Sequence, residues 1–210
     1  LKQSERRLQR QEGNYSASHN FLELEGASLT LIGLGRIASR VAEVAIATGM
    51  RVTAYDPFES DKKFEELGVN RAPNLTEAVS EAQIISVHAP LTDQTRHLIN
   101  TELIDLMTNG VFIVNTARGG LVDHSALLEA LRSGKVRAAG LDVTDPEPLP
   151  LEHPLLEHDN VLVTPHVASA TTAGRRRIFA MAIDQVLAGL SGTEPSNILN
   201  PEVWPGRNSK

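Results

Sequence analysis

One rhythm constrains the fold of this chain more than anything else. Short, continuous apolar runs alternate with longer stretches whose apolar residues fall at helical spacing. The runs "SLTLIG", "RVTAY", "IISVHAP", "VFIVNT", "AAGLDV" and "NVLVTP" are too short for buried helices and rich in β-branched residues. Between them, "RIASRVAEVAIATG" puts Ile37, Val41, Val44 and Ala45 at helical spacing and stops at Gly49. A polar helical stretch precedes Gly68, and "NLTEAVSEA", "TELIDLMTNG" (to Gly110) and "HSALLEALRSG" read as further helices. Strands that lack polar alternation are covered on both faces, so the pattern predicts a doubly wound, mostly parallel α/β sheet.

Composition narrows the function classes. The chain of 210 residues is 41% hydrophobic and 22% charged, ordinary values for a globular protein. Its formal net charge of −6, from 20 basic and 26 acidic residues, argues against a nucleic-acid partner. Arg175 to Arg177 fan out around a helix and read as a solvated face. With no cysteine, disulfides, thiolate catalysis and Cys-type zinc sites are excluded. No metal site is expected, and a cytoplasmic location fits. No apolar run approaches the ~20 residues that span a bilayer, so no membrane partner is expected. "LKQSERRLQRQEG" lacks the apolar segment of a signal peptide.

Three regions are expected. Residues 1–25 hold a short exposed helix ending near Gly13 and a linker, "NYSASHN". Residues 26–170 form the α/β domain. Residues 171–210 form a long helix, "TAGRRRIFAMAIDQVLAGL", and a tail rich in Pro, Gly and Asn.

"LIGLGRIASR" carries Gly33-x-Gly35-x-x-Ala38 between a predicted strand and a predicted helix. Gly33 permits a tight turn. Gly35 lets backbone approach a pyrophosphate at the helix N-terminus, where N–H groups and the helix dipole favour negative charge. Asp56 lies 21 residues after Gly35, at the end of the second strand. There a carboxylate can accept from the adenosine ribose hydroxyls and repel a 2′-phosphate, which favours NAD over NADP. Lys62 and Lys63 stand close enough in sequence for one to fold back to a phosphate. The sheet is therefore of Rossmann type.

Three polar residues follow strand ends: Arg118 after "VFIV", Glu147 after "GLDV" and His166 after "VLV". In an open α/β sheet, ligands bind outside the carboxyl ends of the strands. Arg118 can clamp a carboxylate, His166 can move a proton, and Glu147 can orient the imidazole. The two glycines after Arg118 leave room for close approach to the backbone. From these residues alone, a turn in "DPEP" and a capping histidine are equally good readings.

"GLGRIASRVA", "HAPLTDQTRHLIN", "VNTARGGLVD", "GLDVTDPEP" and "NVLVTPHVASAT" occur in this order across about residues 26 to 190. Together they strongly resemble the D-isomer-specific 2-hydroxyacid dehydrogenases. "AYDPF" and the overall run look most like the 3-phosphoglycerate dehydrogenase and glyoxylate/hydroxypyruvate reductase branches. The resemblance implies NAD-dependent reduction of 2-keto acids or oxidation of D-2-hydroxy acids, with Arg118 on the substrate carboxylate, His166 as acid/base and Glu147 as its partner. It also implies cofactor contacts from Gly33, Gly35, Arg36, Ile37, Asp56, Asp142 (at the nicotinamide carboxamide) and His166. His88, Ala89, Pro90, Thr116 and Ala117 are implied to line the cofactor, although His88 reads equally well as a structural histidine. His19, His97, His124, His153 and His158 are expected at the surface or as caps. A homodimer through the cofactor domain is implied. Similar blocks occur in NAD-binding corepressors, so a non-catalytic NAD-binding interaction module is the alternative. In the family, about a hundred residues of substrate domain precede the fingerprint, whereas about thirty do here. The substrate domain is therefore expected to be incomplete, lacking its N-terminal part, with little turnover by these residues alone.

Overall fold

The computed structural model describes residues 9–10 and 22–204. The expected N-terminal helix and the "NYSASHN" linker fall, but for residues 9 and 10, outside them. The chain divides into two compact units, Leu1–His166 and Val167–Lys210.

The first unit is built on one sheet of seven strands: β1 (Ser28–Ile32), β2 (Arg51–Tyr55), β3 (Asn70–Arg71), β4 (Ile84–Val87), β5 (Val111–Asn115), β6 (Val136–Leu141) and β7 (Val161–Val163). Their order is β3-β2-β1-β4-β5-β6-β7, and every pairing is parallel. The order reverses at β1, between β2 and β4. That switch point opens a crevice above the strand ends. Helices α1 (Arg36–Ala47), α2 (Asp61–Leu67), α3 (Leu75–Ser80), α4 (Thr101–Leu106), α5 (His124–Ser133) and α6 (Pro154–Glu157) make the connections. Local chemistry sets their ends. Asn74, Asn100 and Asp123 cap α3, α4 and α5 by accepting from backbone N–H groups of the first turn.

The core forms two clusters. Leu31, Leu34, Ala38, Val52 and Phe64 belong to the one under α1 and α2. Ile85, Ile113, Leu121, Leu127, Leu141 and Leu155 belong to the other, around β4 to β7.

The spacing reading of α1 holds for Ala45, which is buried, and Val41, which packs against the core, but not for Ile37 and Val44. The helix buries Ala38, Ala42 and Ala45, while Ile37 (70% exposed) and Val44 (65%) face solvent. Both triplets, 37/41/44 and 38/42/45, satisfy helical spacing. The alanine stripe wins because small side chains let the helix close onto the strands after the glycine turn. Helix α4 also stops at Leu106 rather than reaching Gly110, since Met107 is extended. Lys135 Nζ donates to the carbonyls of Asp105 (2.9 Å) and Met107 (2.5 Å), satisfying oxygens that the ended helix leaves open. Strand β3, two residues long, and helix α6, inside the Pro/Glu-rich loop, carry too short a pattern to be read from sequence.

The second unit is α7 (Thr172–Leu190) and its tail. Thr171 caps the helix through Gly174 N–H (2.9 Å). Gln185 holds Ser196 (3.1 Å) and Asn197 (3.0 Å), folding the tail back. Ile178, Phe179, Ile183, Leu187 and Leu190 are exposed. Among the described residues, no helix is long and apolar enough to cross a membrane.

Candidate cofactor and active site

The turn after β1 is built to let something in. Gly33 has φ 95°, and a Cβ there would stand 3.0 Å from the His88 carbonyl carbon and Ala89 N. Both the dihedral and the close approach demand glycine. Gly35 is different: its φ is −70°, and a Cβ would meet no protein atom within 4 Å. Nothing in the protein requires glycine at 35, and the space beside it lies open. Helix α1 begins there with no side-chain cap and no acidic residue in its first turn. An uncapped twelve-residue helix start, at residues Arg36 and Ile37, favours an anion.

Asp56, at the end of β2, is held by two main-chain donors. Leu34 N–H reaches Oδ2 (2.8 Å) and Phe58 N–H reaches Oδ1 (2.9 Å). These bonds fix the carboxylate beside the glycine turn. Lys62 and Lys63 are drawn elsewhere: Lys63 pairs with Glu59, and Lys62 with Glu66 at 3.6 Å.

At the end of β4, His88 is half-buried and Nε2 lies 2.9 Å from Ser86 Oγ. Burial pushes its pKa below the ordinary value. The Pro90 carbonyl accepts from Thr95 Oγ1 (2.7 Å). At the end of β5, buried Asn115 splints the next loop, accepting from Ala117 N–H (3.0 Å) and donating to the Arg118 carbonyl (2.9 Å). Thr116 and Arg118 are exposed. Arg118 Nη1 donates to the Ala117 carbonyl (2.6 Å), and its guanidinium makes no ion pair with any described residue.

The two glycines after Arg118 serve the protein itself. A Cβ on Gly119 would lie 2.0 Å from the Thr144 carbonyl, and one on Gly120 would lie 3.1 Å from Arg96 Nη1 and from Asp145 Oδ2. The close approach expected from "RGG" is made by the loop after β6, not by a ligand. That contact brings the loop of Arg118 against the loop of Glu147.

Asp142 is buried and accepts from Thr164 Oγ1 (2.6 Å). Its carbonyl accepts from His166 N–H (2.8 Å). His166 sits in the left-handed region at φ 53°, a conformation uncommon outside glycine. The reward is placement: Nδ1 lies 2.7 Å from Glu147 Oε1. With Nδ1 engaged, Nε2 is the ring nitrogen left to meet a substrate. Three strand ends thus present a carboxylate–imidazole dyad and a cation with no ion pair among the described residues. Residues that sequence reading missed hold the strand-end loops in place: Ser86 meets His88, Asn115 splints the Arg118 loop, and Thr164 holds Asp142. Asn115 carries a readable signal, a buried amide at the end of an apolar run.

His124, expected at the surface or as a cap, is a correction. It is 9% exposed, and neither ring nitrogen has a hydrogen-bond partner among the described residues. It opens α5, and its ring meets His153 edge-on at 5.8 Å. Burial pushes its pKa down; His153 adds to this, while Asp145 and Asp123 oppose it. His153 caps α6 by accepting from Leu155 N–H (3.3 Å), and His158 accepts from Asn160 N–H (3.2 Å) just beyond the helix.

Residues 1–168 match the family described as D-isomer specific 2-hydroxyacid dehydrogenase, NAD binding domain. The chain belongs to this family. It is similar to a glyoxylate reductase of Aeropyrum pernix, 43% identical over 182 residues, covering 87% of this chain and 54% of that protein. It is also similar to a D-3-phosphoglycerate dehydrogenase of Methanocaldococcus jannaschii, 42% identical over 179 residues, covering 85% and 34%. Among solved structures, D-lactate dehydrogenase with NAD+ from Lactobacillus jensenii superposes with a TM-score of 0.86 at 28% identity, covering 94% of this chain and 63% of that one. The chain thus spans about half the length of the first of these relatives and about a third of the second. The cofactor of this dehydrogenase domain is NAD. The residues present fit it: the open space at Gly35, the acid-free start of α1 and the anchored Asp56 lie in line with the switch point.

Proposed function

We infer that these residues form the cofactor-binding domain of an NAD-dependent oxidoreductase of 2-keto and 2-hydroxy acids. The observation that carries this reading is the His166–Glu147 dyad at 2.7 Å. Bound NAD supplies hydride transfer between its nicotinamide and the substrate C2. The chain's own residues do the rest. Main-chain N–H groups at Gly35, Arg36 and Ile37 bind the pyrophosphate, and Asp56 accepts from the ribose hydroxyls. His88, Ala89, Pro90, Thr116, Ala117 and Asp142 wall the cofactor. Arg118 clamps the substrate carboxylate and polarises the neighbouring carbonyl. His166 Nε2 gives a proton to the C2 oxygen during reduction and takes it back during oxidation. Glu147 accepts from Nδ1–H, so it fixes the ring and balances the imidazolium.

The substrate is a small 2-keto acid of the glyoxylate or hydroxypyruvate class, as the relatives' names suggest. We place the protein in the cytoplasm as a homodimer paired through this domain. Exposed Ile37 and Val44 on α1 support the pairing. A monomer by light scattering at micromolar concentration would count against it. The test of function is NADH oxidation with glyoxylate, hydroxypyruvate and pyruvate, in the protein that carries these residues. Glu147→Gln should lower kcat by about 10²-fold, the lower end of acid–base contributions. Full activity in that variant would remove Glu147 from the reaction.

A further inference from the structure

The adenosine end of the site holds one cation that the reading above does not use. Arg71 ends β3, the edge strand beside β2, and its register partner is Ala54, two residues before Asp56. Its Nη2 lies 3.4 Å from the Asp56 carbonyl oxygen. Its guanidinium stacks over the Phe64 ring at 4.8 Å, and Nη1 meets Asp61 Oδ1 at 2.5 Å. The head group is therefore held between an aromatic face, a main-chain oxygen and one carboxylate, immediately beside the residue that faces the ribose. Lys63 pairs with Glu59, and Lys62, largely exposed, lies 3.6 Å from Glu66; the Arg71→Met control below separates Arg71 from both.

We propose that Arg71, restrained by Asp61, sets how completely this domain excludes a 2′-phosphorylated dinucleotide. The proposal rests on the NAD-binding reading and deepens it. Removing the Asp56 carboxylate relieves the direct repulsion of a 2′-phosphate. It supplies no group to bind one, because the guanidinium fork that matches phosphate geometry is already engaged by Asp61. From Asp56 to Arg71 the sequence holds five carboxylates and three basic side chains, so the local field stays unfavourable to a phosphate until a second carboxylate is lost. Discrimination therefore has two layers: Asp56 repels, and Asp61 withholds Arg71. Asp61 is 81% exposed, so its replacement leaves the core untouched.

The experiment is calorimetric titration of the chain with NADH and with NADPH. The wild type should prefer NADH, and Asp56→Ala should narrow the gap. Adding Asp61→Ala should raise NADPH affinity further, by up to about fivefold, the scale of one screened surface ion pair. Adding Arg71→Met to that pair should abolish the gain and leave NADH affinity unchanged; methionine keeps apolar contact with Phe64. If Asp56→Ala fails to fold, Asp56→Asn, which keeps an acceptor for Leu34 N–H, replaces it throughout the series. A double variant without NADPH gain, or a gain that survives Arg71→Met, overturns the role of Arg71 while leaving NAD binding intact. A wild-type chain that binds neither dinucleotide overturns the NAD-binding reading, and this proposal with it.

Discussion

Replacing Gly35 by alanine should separate binding from folding. Gly35 has φ −70° and ψ −171°, which alanine adopts without strain, and its Cβ would meet nothing within 4 Å. Two effects on stability remain, and they oppose each other. Alanine restricts the unfolded chain, which stabilises by about 0.4–1 kcal/mol. Alanine is also a poorer N-cap than glycine, which costs roughly 0.5–1 kcal/mol. The net change should stay within ~0.5 kcal/mol, or about 1–2 °C in Tm for a chain of this size. Binding should respond quite differently. The methyl group occupies the space through which a pyrophosphate must approach the start of α1, so NADH affinity should fall at least about tenfold, ~1.4 kcal/mol. The assay is a thermal melt without ligand beside a calorimetric NADH titration of the same preparation. Unchanged NADH affinity would refute the assignment of the turn. A fall in Tm of several degrees would show that glycine at 35 serves the protein and not a ligand.

Gly119→Ala should do the reverse: its Cβ would fall 2.0 Å from the Thr144 carbonyl, so two loops must part, at a cost of ~1–3 kcal/mol in stability. Wild-type denaturation by urea would refute that contact. Arg118→Lys should cut kcat/KM for keto acids while sparing NADH affinity, because an ammonium cannot reproduce a bidentate clamp; unaltered kcat/KM would remove Arg118 from the site. His88 and His124 are both held below the ordinary 6.5 by burial, so below that pH the unfolded chain binds more protons than the folded one. Stability should be full above about pH 6.5 and decline as the pH falls towards the folded values, and His124→Leu should flatten the decline; an unchanged acid limb in that variant would show that His124 does not titrate with unfolding.

Legibility in the sequence followed the range of the pattern. Elements whose signal lies within one segment were readable: β1, β2, β4 to β7, the start of α1 and the glycine that ends α2. The glycine fingerprint is a weak signal alone; with Asp56 at the end of the second strand it points to a dinucleotide site after β1. What failed depended on partners distant in sequence. Ile37 and Ala38 offer helical stripes of equal spacing, and only the approach of α1 to the strands decides between them. His124 looks like a first-turn surface residue until α6 brings His153 against it. The glycines at 119 and 120 read as space for a ligand because Thr144 and Asp145 are some 25 residues away along the chain. The roles of Arg118, Glu147 and His166 are equally open from chemistry alone; the ordered set of motifs decides between the readings, and singly only the Arg118 and His166 blocks are specific.

The dyad itself shows why its loops must pack as they do. His166 and Glu147 are about half exposed, with side-chain accessibilities of 47% and 41%. In that setting an ion pair contributes at most about 1 kcal/mol, because water screens it. In its proposed role as proton carrier, the dyad gains strength when a bound substrate excludes water from Nε2 and the carboxylate. What the domain supplies beforehand is position. The Asp142 carbonyl holds the His166 main chain, Thr164 holds the Asp142 carboxylate, and the Gly119–Thr144 approach ties the loop of Arg118 to the loop of Glu147. These are main-chain or part-buried contacts, screened less than the dyad itself. A substitution at Gly119 or Thr164 touches no reacting atom, yet a 1 Å displacement there can cost about 10²-fold in rate. The residues that hold the loops should therefore tolerate change as poorly as Arg118, Glu147 and His166, the three proposed to carry the chemistry.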